Sequence, residues 1–336
     1  MSAVTAKTAA APPVIAIDLG GTKALAAVVD AEGRILGREK VSSRDTRDEH
    51  ELLDRMADAA RVAAATAGVA LDTVGAVGVG VPGPVDQVNG VVRVAPNLKW
   101  IDVPVGPALH ERLDRPVVVD NDVNAAALAE HHLGAGKGLP SLLGIFIGTG
   151  IGGGVVVDGD LLRGSHQAAA EIGHMIVKAG GARCACGRRG CFEALSSRTS
   201  MMRDAARQVD TGRSSLLVKL TKGQVQKATS GNVRKAYQRG DKLTRRIVHR
   251  AARYAGIGVG SAVNLLDPAI VVLGGGVVES LGDAYVQRVA RVARRYIIDE
   301  TAKAVPVVAA ELGDDAGVLG AALLARQLAS GSEDRA

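Results

Sequence analysis

Two stretches of the chain repeat one design, and the repeat restricts the folds open to it. Val14 to Ile17 is an apolar strand running into Asp18, followed by a glycine turn, Gly20 to Lys23, and a second strand, Ala24 to Val29. Leu142 to Ile147 is again an apolar strand, followed by the glycine run Gly148 to Gly154 and a second strand, Val155 to Asp158. Short apolar runs bounded by glycine read as strands. Glycine lets successive backbone N–H groups point into one concavity, which suits phosphate oxygens. Each stretch therefore predicts a β-turn-β phosphate loop, although a plain hairpin explains either one taken alone. Neither turn opens a helix, so neither is a dinucleotide-binding fingerprint, and neither has the lysine-hydroxyl ending of a P-loop. A third glycine element, Gly274, Gly275 and Gly276, follows the apolar strand Ala269 to Leu273, where a ligand ring can approach the backbone.

Helical patterns fill the intervals: Glu49 to Ala67, Val123 to Leu133, several segments from Ser196 to Leu266, and Ala316 to Leu328. Strands at Val74 to Val81 and Pro116 to Val119 lie between the first two. Strands leading and helices following, twice over, predict an α/β chain of two domains facing each other across a cleft. A length of 336 residues, 47% of them apolar, is enough for two cores. The boundary is expected in the run Gly134 to Gly138. The expected plan is a disordered tail, 1–13, a small N-terminal domain, 14–133, and a large C-terminal domain, 134–315. A last helix, 316–328, should pack back on the small domain.

Cys184, Cys186 and Cys191, all the cysteines of the chain, follow His174 between Glu171 and Glu193. Three thiolates and one imidazole form the tetrahedral sulfur-nitrogen set that suits Zn2+. With every position filled by protein, no site is left for catalytic water, so the expected zinc is structural. The alternative is a redox or disulfide motif; an odd cysteine count argues against it. The leading residues, MSAVTAKTAAAPP, have no apolar export segment, so the compartment expected is the cytoplasm, where disulfides are rare. Gly187 and Gly190 are expected to turn the knuckle at positive φ.

The uncharged stretch Leu142 to Val157 approaches the length of a membrane span, but the glycine run in its middle reads as strand, turn, strand, so no membrane partner is expected. The net charge of +6 is concentrated between Lys219 and Arg253, where eleven Lys or Arg face one acid, Asp241. With one aromatic residue, Tyr237, and no nucleic-acid motif, this predicts a solvated helical face rather than a nucleic-acid surface, with an anionic cosubstrate as the other reading.

Together the motifs DLGGTK (18–23), GVPGPV (80–85), APNLKW (95–100), VDNDVNAAALAE (119–130), GTGIGGG (148–154), EIGH (171–174), CACGRRGCFE (184–193) and VLGGG (272–276) resemble the ROK family of sugar kinases and repressors. The resemblance runs from Val14 to Leu328. It implies two ribonuclease-H-like domains of the actin and hexokinase type with a small zinc knuckle, and ATP, Mg2+ and a hexose in the cleft. Family repressors carry a DNA-binding module before the first strand, for which thirteen residues are too few. One departure is Ala170, where the family usually has glycine before the glutamate.

The implied reaction is ATP-dependent phosphorylation of a hexose, with glucose to glucose 6-phosphate as the leading case. A sugar hydroxyl is a weak nucleophile at neutral pH and needs a carboxylate to take its proton. The resemblance assigns that base to Asp122, whose other reading is a helix N-cap accepting from the N–H groups of Asn124 and Ala125. Asn97, Asn121, Glu171, His174 and Glu193 are the implied sugar contacts alongside Asp122. Buried carboxylates need partners, so Glu171 and Glu193 are read as gripping vicinal hydroxyls or as supporting the zinc ligands. His174 would hold zinc with one ring nitrogen and the sugar with the other. Asp18 is expected to order Mg2+. Gly20, Gly21, Thr22, Lys23, Gly148, Thr149 and Gly150 are expected on the phosphates, and Gly274 to Gly276 near the nucleotide. The partners expected are the hexose and ATP, with a homo-oligomer, dimer or tetramer, as the assembly. The open rivals are a kinase of fructose, N-acetylmannosamine or N-acetylglucosamine, a non-catalytic sugar-sensing regulator, and a structural zinc protein.

Overall fold

The computed structural model describes residues 11–46 and 48–331. Contacts divide the chain into two compact units. One runs up to Ala129 and resumes at Asp315; the other is Glu130–Asp314. Of the expected N-terminal tail, 1–10 lie outside the described residues. Pro13 is already placed, its carbonyl accepting from Gly75 N at 3.0 Å.

In the first unit the strands β1 (Val14–Leu19), β2 (Lys23–Val29) and β3 (Ile35–Ser42) precede helix α1 (Glu49–Ala67). Then come β4 (Val77–Val81), β5 (Val85–Asp86), β6 (Val91–Ala95), β7 (Trp100–Val103), α2 (Val105–Leu113), β8 (Val117–Asn121) and α3 (Asp122–His132). The five-stranded sheet has the order β3-β2-β1-β4-β8, while β5, β6 and β7 form a separate small sheet. The second unit contains β9 (Ser141–Ile147), β10 (Ile151–Val157), β11 (Asp160–Leu161), α4 (Phe192–Ser196), α5 (Arg198–Asp210), α6 (Leu216–Leu220), α7 (Ser230–Gln238) and α8 (Lys242–Leu266). It continues with β12 (Ile270–Gly274), α9 (Gly276–Leu281), α10 (Asp283–Ala293) and β13 (Val307–Ala309). Helix α11 (Ala316–Ala329) returns to the first unit.

The second sheet has the order β11-β10-β9-β12-β13, which repeats the first: third, second, first, fourth, fifth. In both, the first three strands are antiparallel neighbours and the last two run parallel to the first. The repeated sequence design is thus a repeated topology, the mixed α/β fold the sequence predicts.

With only 2% aromatic residues, the cores are filled by Val, Ala, Leu and Ile, and small side chains let elements approach closely. The sequence of β4, VGVGV, is an example. Its valines fill the core, and at Gly78 the backbone of α11 crosses so near that a β-carbon would overlap Ala321 O. Helix α8 buries an i, i+4 stripe from Leu243 through Ile247 and Ala251 to Ala255, and it starts at a cap in which Asp241 accepts from Thr244 N at 2.8 Å.

Several sequence expectations change, among them the boundary, which falls between Ala129 and Glu130 rather than within 134–138. Strand β4 begins at Val77 rather than Val74, because 71–73 form a single 3-10 turn. The second glycine turn is confined to 148–150, since Ile151 to Gly154 pair in register with Ile147 to Gly144. Those strand glycines leave room for the Ile172–His174 turn, which lies flat on β10. The small sheet β5-β6-β7 and helices α2, α9 and α10 have no counterpart in the sequence reading. No helix among the described residues is long and apolar enough to cross a membrane.

The α11 crossing makes Gly78 a sensitive position. Gly78→Ala should lower the urea midpoint by the equivalent of about 1–3 kcal/mol. Gly231→Ala, whose added carbon meets nothing closer than Thr229 Oγ1 at 3.7 Å, should leave it nearly unchanged. Equal midpoints for the two variants would contradict this packing.

Candidate active site and metal centre

In the first unit the parallel register aligns Asp18 with Gly80 and Gly80 with Asp120, so β1, β4 and β8 end on one edge of the sheet. The carboxyl ends of parallel strands are where α/β proteins place ligands. There β1 enters the Gly20–Lys23 turn, closed by Gly20 N donating to Lys23 O at 2.8 Å. Strand β8 passes directly into α3. Asn121 caps that helix: its Oδ1 accepts from Val123 N at 2.9 Å and Asn124 N at 3.2 Å, and its Nδ2 donates to Gly83 O at 3.1 Å. The cap reading of Asp122 is thereby overturned, because the neighbouring asparagine does that work. Asp122 accepts from Val123 N at 2.9 Å. Burial of its carboxyl, and after it the charge of Asp18, push the pKa of Asp122 up to about 7.

Asp18 lies against the first turn of α11, where a β-carbon on Gly317 would come within 2.7 Å of its carboxyl carbon. A helix N-terminus favours an anion. Gly21 meets Asn97 in the same way: a β-carbon there would stand 3.3 Å from Asn97 Cβ. These two residues line a crevice with Ser43, Arg44, Lys99 and Trp100. Asn97 and Thr22 are exposed, and Lys23 is the first residue of β2.

In the second unit the turn Gly148-Thr149-Gly150 is closed by Gly148 N donating to Gly150 O at 2.9 Å. Arg198, at the start of α5, holds it from outside. Its backbone N–H donates to Gly148 O at 2.9 Å and its guanidinium to Thr149 Oγ1 at 2.6 Å. The sequence reading missed Arg198; nothing in the pattern links it to a turn so far upstream. Glu193 Oε2 accepts from Ile151 N at 3.0 Å, and its Oε1 faces Cys184 Sγ at 3.9 Å. At Gly274 and Gly275 the side where a β-carbon would stand is filled by the neighbouring strand. A β-carbon on Gly274 would meet the Phe146 ring at 2.6 Å, and one on Gly275 would meet Ile147 backbone at 2.8 Å. Gly276 alone of the three is free of such contact, with Ser230 Oγ at 3.4 Å.

The ligand atoms of His174, Cys184, Cys186 and Cys191 all lie within 4.8 Å of one another. Cys184 Sγ is 3.8 Å from His174 Nδ1, and Cys186 Sγ is 3.7 Å from Cys191 Sγ. A tetrahedron with metal–sulfur arms of ~2.3 Å has edges of ~3.8 Å, so the donor set fits Zn2+ in size as well as chemistry. Arg188 N–H, donating to Cys186, brings that thiol down to about 6, while burial pushes Cys184 up and Cys191 up to about 12. Thiols this close cannot all ionise without a cation among them. Gly187 and Gly190 take φ of 88° and 83°, the turns expected of them.

The other nitrogen of His174, Nε2, faces Glu171 Oε2 at 4.0 Å. The premise of a buried Glu171 is corrected: its side chain is 56% exposed. Glu193 is half-buried and already bonded. Ala170 sits at φ 61°, the left-handed region, so the methyl that replaces the family's glycine is held at a cost of about 1–2 kcal/mol next to Glu171.

Residues 14–328 match the ROK family. The glucokinase of Thermotoga maritima is 36% identical over 322 residues, covering 95% of this chain and 98% of that protein. A ROK hexokinase from Thermus thermophilus superposes with a TM-score of 0.81 at 40% identity, covering 95% of this chain and 99% of that one. A ROK family glucokinase from Streptomyces griseus, solved in complex with glucose and AMPPNP, gives a TM-score of 0.82 at 36% identity, covering 94% of this chain and 99% of that one. N-acetylmannosamine kinases and xylose repressors are also among the relatives.

The raised pKa of Asp122 has a consequence for stability. With a folded value of about 7 against 3.8 unfolded, ionising Asp122 disfavours the folded state, and stability is lost as pH rises from about 4 through 7. Asp122→Asn should therefore be more stable than the parent at pH 8, by on the order of 1–2 kcal/mol, with the gap closing near pH 4. Thermal melts across that range check this; an Asn variant that is less stable at pH 8 would rule out the buried, mutually charged pair.

Proposed function

The chain belongs to the ROK family, and we propose that it is an ATP-dependent hexose kinase whose leading substrate is glucose, converted to glucose 6-phosphate. The observation that carries this reading is Asp122. It stands at the strand-end edge, relieved of helix capping by Asn121, with a pKa of about 7 that suits a base working near neutrality.

In this reading the Asp122 carboxylate takes the proton of the sugar 6-hydroxyl as that oxygen bonds to the γ-phosphorus of ATP. The bond from the γ-phosphorus to the bridging oxygen breaks, and ADP leaves with the electron pair. Asp18 holds Mg2+, whose charge, when bound, offsets that of the phosphates and of the two neighbouring carboxylates. Gly21, Thr22 and Lys23, on the turn that Gly20 closes, and Thr149 and Gly150, on the turn that Gly148 closes, present N–H groups to phosphate oxygens. Arg198, already bonded to Thr149, adds a positive charge beside that turn. The third glycine element, Gly274, Gly275 and Gly276, is assigned to the nucleotide. Asn97, Asn121, Glu171, His174 and Glu193 orient the sugar. The His174 ring and the three thiolates hold a structural zinc, with His174 Nε2 turned away from it toward Glu171.

A coupled phosphorylation assay over glucose, fructose, mannose, N-acetylglucosamine and N-acetylmannosamine tests the reading. We expect glucose to give the highest kcat/KM, with activity rising as pH increases through about 7 while Asp122 ionises. Asp122→Asn should lower kcat by at least ~10²-fold at unchanged fold. A preference for N-acetylmannosamine would reassign the substrate, and sugar binding without turnover would make the chain a regulator.

The metal is tested separately. Purified protein should contain about one zinc per chain, and Cys184→Ser should lose metal and activity together, since ligation supplies folding free energy to the knuckle. Full activity in protein shown to be metal-free would refute the structural role.

A further inference from the structure

All eleven cations between Lys219 and Arg253 are exposed, as a solvated face requires, but one end of that face is not merely solvated. Where α7 and α8 meet α9 and α10, a small, narrow crevice is lined by Tyr237, His249, Tyr285 and Arg288 together with apolar side chains. No carboxylate lines it. Tyr285 is 3% exposed, and its hydroxyl is buried without a hydrogen-bond partner. An orphaned buried hydroxyl costs about 1–3 kcal/mol, so its retention calls for a partner the protein does not supply. Arg288 is half-buried, and among the described residues no carboxylate pairs with it. Tyr237 Oη and His249 Nε2 are 3.0 Å apart. With neutral histidine the pair holds two protons, one used between them, so one donor remains whichever tautomer is present. Arg245 lies 5.8 Å from the centre of the Tyr237 ring and adds a second positive charge.

We propose that this crevice binds a phosphate group, either as the free anion or as the end of a small phosphate monoester. The guanidinium fork of Arg288, the buried Tyr285 hydroxyl and the spare donor of the Tyr237–His249 pair supply donors. Arg288 and Arg245 supply charge for a dianion. Burial, and then Arg288 and Arg245, hold His249 below its usual pKa, the behaviour of a group among cations with no anion between them. Tyr285, pushed up by burial, stays protonated and able to donate. The proposal does not depend on the kinase reading, for no residue of that site takes part.

Calorimetric titration of the full chain with inorganic phosphate, and separately with methyl phosphate, tests it, chloride being used to hold ionic strength constant. We expect saturable binding that weakens at least about tenfold in Arg288→Gln and about three- to tenfold in Tyr285→Phe. Tyr285→Phe keeps the ring and removes the orphan hydroxyl, so it should fold at least as stably as the parent, which a thermal melt confirms. Binding of both probes identifies a monoester site, and binding of inorganic phosphate alone a free-anion site. Absence of saturable binding overturns the proposal. So does binding that is unchanged in Arg288→Gln, which would place the phosphate elsewhere on the chain.

Discussion

The candidate site rests on contacts made where a β-carbon is missing. Asp122 stands on Gly80, Asp18 on Gly317, Asn97 on Gly21 and Glu193 on Gly150, with a substituted β-carbon meeting each within 2.5 to 3.4 Å. In a chain with almost no aromatic residues, glycine and alanine let elements close to near backbone contact, and polar side chains at their ends then have little freedom. Orientation by packing of this kind fixes a carboxylate without a hydrogen bond to every oxygen. That leaves lone pairs for a ligand.

Both clusters of ionisable groups face one electrostatic problem. The charge of Asp18 adds to the cost of ionising Asp122, and the close thiols of the knuckle, with burial, raise that cost for Cys191. Ion pairing is the simpler solution for stability, as Asp204 shows by bonding Arg207 at 2.8 Å. Leaving like charges together is a cost consistent with sites built to receive metal cations, and this physical reasoning joins the proposed roles of Asp18 and the knuckle.

Much of this was legible in the sequence because it depends on local rules. The span of α1, Glu49–Ala67, follows from its periodicity, its Asp48 cap and Gly68 in the left-handed region. The cysteine spacing brings four donors together because Gly187 and Gly190 can turn where other residues cannot. What was not legible depends on contacts between distant segments. Arg198 meets Thr149 only because α5 starts beside the β9–β10 turn. Asn121 and Asp122 are adjacent and both able to cap, and the choice between them is made by Gly83 O, which fixes the Asn121 amide. The strands β5 to β7 are too short to show a period. The need for glycine at 274 and 275 comes in part from Phe146 and Ile147 of the neighbouring strand, which fill the β-carbon positions and which no local pattern shows.

The knuckle divides into an anchored half and an exposed half, and this division sets what a metal can do. Phe192, next to Cys191, is fully buried against α8, where a β-carbon on Gly258 would come within 2.8 Å of the ring. That anchor also holds Glu193 on Ile151 N. Residues 178–189, by contrast, are exposed apart from Cys184 and the half-buried Gly181, and bury too little apolar surface to offset the entropy of ordering them. Ligation is therefore the force available to order that loop, and it acts through His174 on the ring nitrogen turned toward Glu171. The core keeps Glu193 and the Gly148–Gly150 turn in place, and a bound metal would keep the Glu171–His174 side of the sugar pocket proposed above.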